Sequence, residues 1–186
     1  MALARYRELV DKVDAFFARV LARHADRLQC RAGCDDCCRQ QLSVTTVEAD
    51  AIFAALPALS DEVRERLRAR AAHLDPRRCV ALEEDGRCAI YAARPLVCRS
   101  HGVPIRTSPP RSLPVIDACE KNFIEGGPAA ADPDCVLDQT TLSTMLLAID
   151  AEHARTNGTK PGERVALSDV LRSSPHVPSA GTPAGL

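Results

Sequence analysis

Between Leu3 and Leu28 the apolar residues Leu9, Val10, Val13, Phe16, Phe17, Val20, Leu21 and Leu28 recur at three- and four-residue steps, with Arg, Asp and Lys between them. That period predicts a long amphipathic helix. Thr45 followed three residues later by Glu48 is a capping-box pair, and it predicts a second helix carrying Val47, Ile52 and Phe53 that stops before Pro57. Ser60, with Asp61 and Glu62 behind it, opens a third helix through Val63, Leu67 and Leu74 toward Pro76. A last helix is expected from about Asp138 to Ala154, with Leu142, Met145, Leu146 and Ile149 on one face.

The pattern fails between Cys79 and Cys119. This stretch is rich in Pro, Gly and Arg and has no helical period, so loop with short turns is predicted. Asp85-Gly86 is a tight-turn signal, and Cys79–Leu82 and Cys88–Tyr91 on either side can pair as a small β-hairpin. Pro95 is placed to start a short helical turn carrying Cys98. From residue 157 to 186 the chain holds Pro161, Pro175, Pro178 and Pro183 with scattered Gly and Ser. A flexible tail is expected there, apart from a short turn near Val165 to Leu171. The predicted class is therefore mainly α: one domain over 1–156, whose helices frame a loop-dominated region.

Composition narrows the function. The 186 residues carry a formal net charge of -1, no Trp and few aromatics, so neither electrostatics nor base stacking argues for nucleic acid. Charged residues from Arg5 to Asp14 interrupt any secretory apolar run, and no segment offers the roughly 20 apolar residues of a membrane span. A soluble, cytoplasmic protein with reduced thiols is expected, without membrane or nucleic-acid partners; proteins or small species are the expected partners, and the sequence identifies no particular protein.

The chemistry lies in nine cysteines, an odd number that no intrachain disulfide framework can fully pair. Four of them, Cys30, Cys34, Cys37 and Cys38, fall within nine residues; Cys79, Cys88, Cys98, Cys119 and Cys135 follow. Clustered thiolates select zinc, cuprous copper or iron–sulfur centres. On a continuous helix the first four would project at about 0°, 40°, 340° and 80°, yet spread over about 12 Å along the axis. Zinc–thiolate bonds of about 2.3 Å put the sulfurs of one ion under about 4 Å apart. The helix must therefore break, and Gly33 is the natural place. Adjacent Cys37 and Cys38 point different ways on any regular backbone, so either they serve different metals or both edge a larger cluster.

The distal cysteines lie in the segment that lacks its own core, where metal ligation would supply the missing ordering energy. Arg31, Arg39, Arg87, Arg94 and Arg99 lie close to cysteines in sequence and suit a negatively charged thiolate centre. Only one two-residue-spaced knuckle, Cys34 to Cys37, is present, where zinc ribbons show two. The repeated spacing of a ferredoxin is missing. Cys30, Cys34 and Cys37 match the C-x3-C-x2-C spacing of radical S-adenosylmethionine enzymes, but those are built on many-stranded partial barrels and this chain is short and helical.

The order C-x3-C-x2-C-C, then Cys79-Val80-Ala81-Leu82, then Gly86-Arg87-Cys88-Ala89-Ile90-Tyr91-x-x-Arg94-Pro95-x-x-Cys98-Arg99, then Cys119, resembles the YkgJ-like or CxxCxxCC family of zinc- or iron-chelating domains. The resemblance runs from about Cys30 to Phe123. It implies that Cys30, Cys34, Cys37, Cys38, Cys79, Cys88, Cys98 and Cys119 hold the metal, with Arg94 and Pro95 as accompanying positions. A similar module occurs in flagellin lysine methylases, which raises methyl transfer as an activity, although nothing here reads as a methyl-donor site.

Tyr91, Arg94 and Arg99 are candidates to contact the bound group from behind the thiols, against the plainer reading that they pack the loop. His101 is a candidate ligand or proton carrier, though polar surface is the simpler role. Asp35 and Asp36 read as a solvated turn. Cys135 reads as a core thiol, and His24, His73 and His153 are assigned no role. The expected function is chelation of zinc or iron, with a lean to an iron–sulfur centre such as [4Fe–4S]. The alternative is an iron–sulfur-dependent redox or group-transfer enzyme or an electron carrier.

Overall fold

The computed structural model describes residues 1–108 and 112–173. Its first element is α1 (Ala2–Arg23), whose inward stripe is Ala2, Tyr6, Leu9, Val13 and Val20. The helix ends five residues before Leu28, the end expected from the apolar period, and a single 3-10 turn, Ala25–Arg27, covers the difference. Strand β1 (Ser43–Thr45) leads into α2 (Thr46–Ala55), where both halves of the Thr45–Glu48 capping box form. Then α3 (Asp61–Ala72) begins at Ser60, whose hydroxyl accepts from the Val63 N–H at 3.4 Å.

The cysteine-rich stretch carries little regular structure. The expected hairpin is reduced to an antiparallel bridge, Leu82 to Cys88, with the Ala89 N–H donating to the Ala81 carbonyl and Glu83 N–H to Arg87. Pro95 does start a helical turn, α4 (Leu96–Arg99), which carries Cys98. Strands β2 (Ile105–Thr107), β3 (Val115–Asp117) and β4 (Leu137–Asp138) form a small sheet in the order β3-β2-β4. Its first pair is antiparallel, with Ile105 opposite Asp117, and its second is parallel, with Ile105 opposite Leu137. From the Asp138 cap, α5 (Gln139–Asn157) runs to a left-handed Gly158.

The turn expected near Val165 to Leu171, within the tail expected from residue 157, forms as a strand and a helix. Strand β5 (Arg164–Ala166) pairs antiparallel with β1, Val44 opposite Val165, and α6 (Leu167–Arg172) packs on α3. Leu167, Val170 and Leu171 enter the same core as Ile52, Leu56 and Leu67. Three apolar residues in five positions are too few for a periodicity signal, but enough to seat one turn on a neighbouring helix. Residues 174–186, including Pro175, Pro178 and Pro183, lie outside the described residues.

Three apolar clusters result. One joins α2, α3 and α6 to Cys79–Leu82; a second joins α1, α2 and α5 to Leu96; the third gathers Val20, Leu28, Val103, Phe123 and Cys135. The protein is mainly α-helical, as its sequence predicts, with the cysteine loops lying among these clusters. No helix among the described residues is long and apolar enough to cross a membrane.

One buried carboxylate fixes α4 in place. Glu48 is 3% exposed; its Oε2 accepts from the Thr45 N–H at 3.0 Å and the Thr45 hydroxyl at 3.1 Å, while Oε1 accepts from the Leu96 N–H at 3.0 Å. Glu48→Gln places an amide NH2 where one of those donors needs an acceptor. A loss of about 1–3 kcal/mol is expected, the cost of one unsatisfied buried polar group, read as a lower urea midpoint at unchanged m-value.

Candidate metal centre

Gly33 breaks the backbone between Cys30 and Cys34. With φ at +88° it occupies a conformation glycine reaches without strain, and the Cys34 N–H closes the turn onto the Arg31 carbonyl at 3.0 Å. Cys37 and Cys38 then sit on a 3-10 turn, Asp36–Cys38, closed by the Cys38 N–H on the Asp35 carbonyl at 2.8 Å. Two backbone contacts bring the hairpin against this turn. The Cys79 N–H donates to the Cys38 carbonyl at 2.7 Å, and Gly86 approaches so closely that a Cβ there would stand 2.9 Å from the Gly33 carbonyl oxygen.

The last thiols come from the other side. Asn122, buried, accepts the Gln29 N–H at 2.8 Å and donates its amide both to the Gly102 carbonyl at 2.8 Å and to the Cys30 sulfur at 3.2 Å. Its own N–H closes a turn onto Cys119 at 2.8 Å. Gly102 lies against Cys30, where a Cβ would meet Sγ at 2.5 Å.

The thiols influence one another along the centre, with Cys37 felt by Cys30 on one side and by Cys79, Cys88 and Cys98 on the other. Burial pushes the Cys30 thiol up, the Asn122 hydrogen bond opposes, and Cys119, Cys34 and Cys37 add to the rise. Burial also pushes Cys88 up to about 11, with Cys79 and Cys37 contributing, and Cys98 up to about 12, with Cys79, Cys88 and Cys37 contributing. Cys79 rises for the same first cause. Between the two sides stands the adjacent pair, with sulfurs 4.0 Å apart. The Cys38 thiol hydrogen-bonds to the Cys37 sulfur, which lowers the pKa of Cys37 and raises that of Cys38; Cys79 and Cys88 raise Cys38 further. Three clustered thiolates would repel unless cations stood close, and three do. Arg94 faces Cys88 and Cys98, Arg70 faces Cys79, and Lys121 faces Cys34 and Cys119.

The sequence-predicted accessory residues fall as follows. Arg94 stacks over the Tyr91 ring at 3.9 Å, and Tyr91 itself is 63% exposed. Arg99 is buried, and its guanidinium donates to the carbonyls of Arg94 and Ala92 and to the Asp14 carboxylate, so it locks α4 to α1. Burial lowers the pKa of the half-buried His101 imidazole. Asp35 and Asp36 are more than a solvated turn: Arg39 pairs with Asp35 at 3.2 Å, and Lys121 pairs with Asp36, tying the turn to the Cys119 segment. The Lys121 hydrogen bond holds Asp36 below the usual carboxylate range.

Sequence reasoning missed Asn122, Gly102, Arg70 and Lys121. Asn122 and Lys121 flank Cys119 closely enough to have been suspected, whereas Arg70 lies on a helix with no local tie to Cys79. Cys135 is fully buried, as expected of a core thiol, but no local signal marks its neighbours. Among the described residues, the group of three ligand atoms within 4.8 Å of one another is His24, Asp132 and Cys135; no trio of the eight clustered thiols closes to that distance.

Cysteine-bearing loops held within a helical frame carry the donor chemistry of a soft-metal chelator. Residues 29–112 match the CxxCxxCC family, described as a "putative zinc- or iron-chelating domain". Cys119 and Asn122 lie beyond the matched stretch. No curated protein and no solved structure matches the chain.

Gly102→Ala should expose how tightly Cys30 is held. Gly158, also at positive φ but with nothing within 4 Å of a Cβ, is the control. Both variants should lose about 1–2 kcal/mol to left-handed backbone strain. Only Gly102→Ala should displace the Cys30 sulfur, read as a changed alkylation rate at Cys30 by mass spectrometry of the metal-free protein. Equal Cys30 rates in the two variants would show that Gly102 does not set the position of that sulfur.

Proposed function

We propose that the chain chelates metal through two groups of four thiols, Cys30, Cys34, Cys37 and Cys119 in one, Cys38, Cys79, Cys88 and Cys98 in the other. The observation that carries this reading is a pair of contacts: the Cys79 N–H donates to the Cys38 carbonyl at 2.7 Å, and Asn122 joins Cys30, through its amide at 3.2 Å, to Cys119, through its N–H at 2.8 Å. Cys37 is felt by Cys30 and by Cys79, Cys88 and Cys98, so it stands between the groups. We assign Cys37 and Cys38 one to each group, one of the two arrangements their adjacency allows.

The occupant we propose is an iron–sulfur centre. Sulfurs on one tetrahedral ion sit under about 4 Å apart, whereas sulfurs on different irons of one cluster stand wider. Apart from Cys37 and Cys38, the spacing of these thiols favours the wider arrangement. Bound there, such a centre would supply electron transfer or Lewis-acid chemistry. The chain's own contribution is to fix the thiols by turns, to balance their charge with Arg70, Arg94 and Lys121, and to exclude water on the Cys79 side, where burial is deepest.

A redox or group-transfer role is the second reading, and one observation favours it. A cavity of about 610 Å³ opens beside Cys34, lined by Gln29, Arg31, Gly33, Asp36, Lys121 and Ile124 among others. The first thiol group is thereby reachable by a small molecule or by a partner's side chain.

Iron, zinc and acid-labile sulfide measured on protein purified without oxygen test the occupant. Iron with matching sulfide is expected; zinc without sulfide would leave a chelator and remove the redox reading. Cys37→Ser and Cys88→Ser should each strip clustered metal and lower thermal stability, while Cys135→Ser should keep iron and sulfide unchanged. Full metal retention in both cluster variants would sink the ligand assignment.

A further inference from the structure

His24 ends α1, its N–H bonded to the Val20 carbonyl at 2.9 Å, and its ring lies edge-on to Phe123 with centroids 5.5 Å apart. Asp132 precedes the 3-10 turn Pro133–Cys135 and accepts the Cys135 N–H at 2.8 Å, which curls Cys135 back toward the helix end. One ring nitrogen, one carboxylate oxygen and the Cys135 sulfur come within 4.8 Å of one another.

From this cluster we infer a second metal site, His24, Asp132 and Cys135, that binds one zinc-type divalent cation and shares no residue with the thiol groups described above. Four observations carry it. The donors are an imidazole, a carboxylate and a thiolate, a set that suits zinc; magnesium and calcium take oxygen alone. Nε2 of His24 accepts the Asp132 N–H at 3.5 Å, the far edge of hydrogen-bond range, and stands 3.8 Å from Asp132 Oδ2. Its lone pair thus faces the site, nearly buried and poorly satisfied, which is costly without a better partner. The Cys135 sulfur is fully buried on the core side, so an ion would be closed off from that direction.

The fourth is charge. Arg23 donates to Asp132 Oδ2 at 3.2 Å and to Asp134 Oδ1 at 2.7 Å. This orients the Asp132 carboxylate, whose Oδ2 lies between the guanidinium and His24 Nε2. One guanidinium against two carboxylates and a thiolate leaves a double negative charge, which one divalent ion neutralises. Three protein ligands leave a fourth position, and the half-exposed Asp132 puts it toward water. Metal here would pin the end of α1 to the segment that leads into β4 and α5.

The full chain, with its resident metal left in place, is equilibrated with 113Cd2+ and observed by cadmium NMR. All-thiolate cadmium resonates far downfield of a site with one thiolate, one imidazole and oxygen donors, so the proposed site is read apart from the cluster. A resonance upfield of the all-thiolate range is expected at one equivalent per chain. It should vanish in Cys135→Ser, and vanish or shift in Asp132→Asn, a surface change that leaves the core untouched. Absence of that resonance from the wild type, or its persistence unshifted in either variant, overturns the site.

Discussion

The Glu48 carboxylate is the contact on which the rest of the centre depends. A four-residue helix such as α4 cannot stand alone, because nucleating a turn fixes several residues for a single hydrogen bond. Its first N–H, at Leu96, instead ends on Glu48, which is itself held by the capping box of α2. The start of α2 is fixed in turn by Asp150 of α5, fully buried, which accepts from the Thr46 hydroxyl at 2.8 Å, the Val47 N–H at 3.1 Å and the Gly162 N–H at 2.8 Å. Cys98 therefore takes its position from carboxylates on two helices that carry no cysteine. Asp14 of α1 completes the clamp from the far side through Arg99.

The thiol loops are ordered differently from the helices around them. Each helix buries an apolar stripe, but the loop from Cys30 to Cys38 buries almost none and the loop around Cys119 chiefly Phe123, and hydrogen bonds position their turns. The Asn122 amide, the Cys79-to-Cys38 backbone bond and the Gly33–Gly86 contact each fix one approach. Individually such bonds contribute about 0.5–1.5 kcal/mol, too little to order loops that bring several thiolates together. Structural metal in small thiol sites contributes on the order of 10 kcal/mol. A chelated occupant is therefore the term able to hold these loops shut, and the bonds set where it sits.

Much of the helical frame was legible because its signals are local. Thr45 with Glu48, Ser60 with its acidic first turn, and Asp138 before an apolar period each announce a helix within a few residues. The family order of cysteines was legible for the same reason, as a string of spacings. What stayed hidden is contact between distant positions. Arg70 reaches the hairpin from α3, α6 returns to pack on that same helix, and His24 meets Asp132 across more than a hundred residues. Glu48 illustrates the limit well: its capping role could be read from Thr45, but its bond to Leu96 could not, since nothing near Leu96 marks a missing acceptor.

The segment from Cys119 to Cys135 shows how a loop can be held without a core of its own. At its start, Asn122 bonds to Cys30 and Gly102, and the next residue, Phe123, takes a left-handed φ of 53°, a strained conformation for a bulky side chain. That strain is tolerated because Phe123 is buried against His24, lies under the Arg27 guanidinium at 4.6 Å, and donates its N–H to the Arg27 carbonyl at 2.9 Å. At its end, Asp132 and Asp134 meet Arg23, the last residue of α1. The segment is thus fastened around the end of α1 at both ends, by Phe123 on Arg27 and His24 and by the two carboxylates on Arg23. Phe123 can relax its backbone only by leaving the aromatic and cationic contacts that hold it.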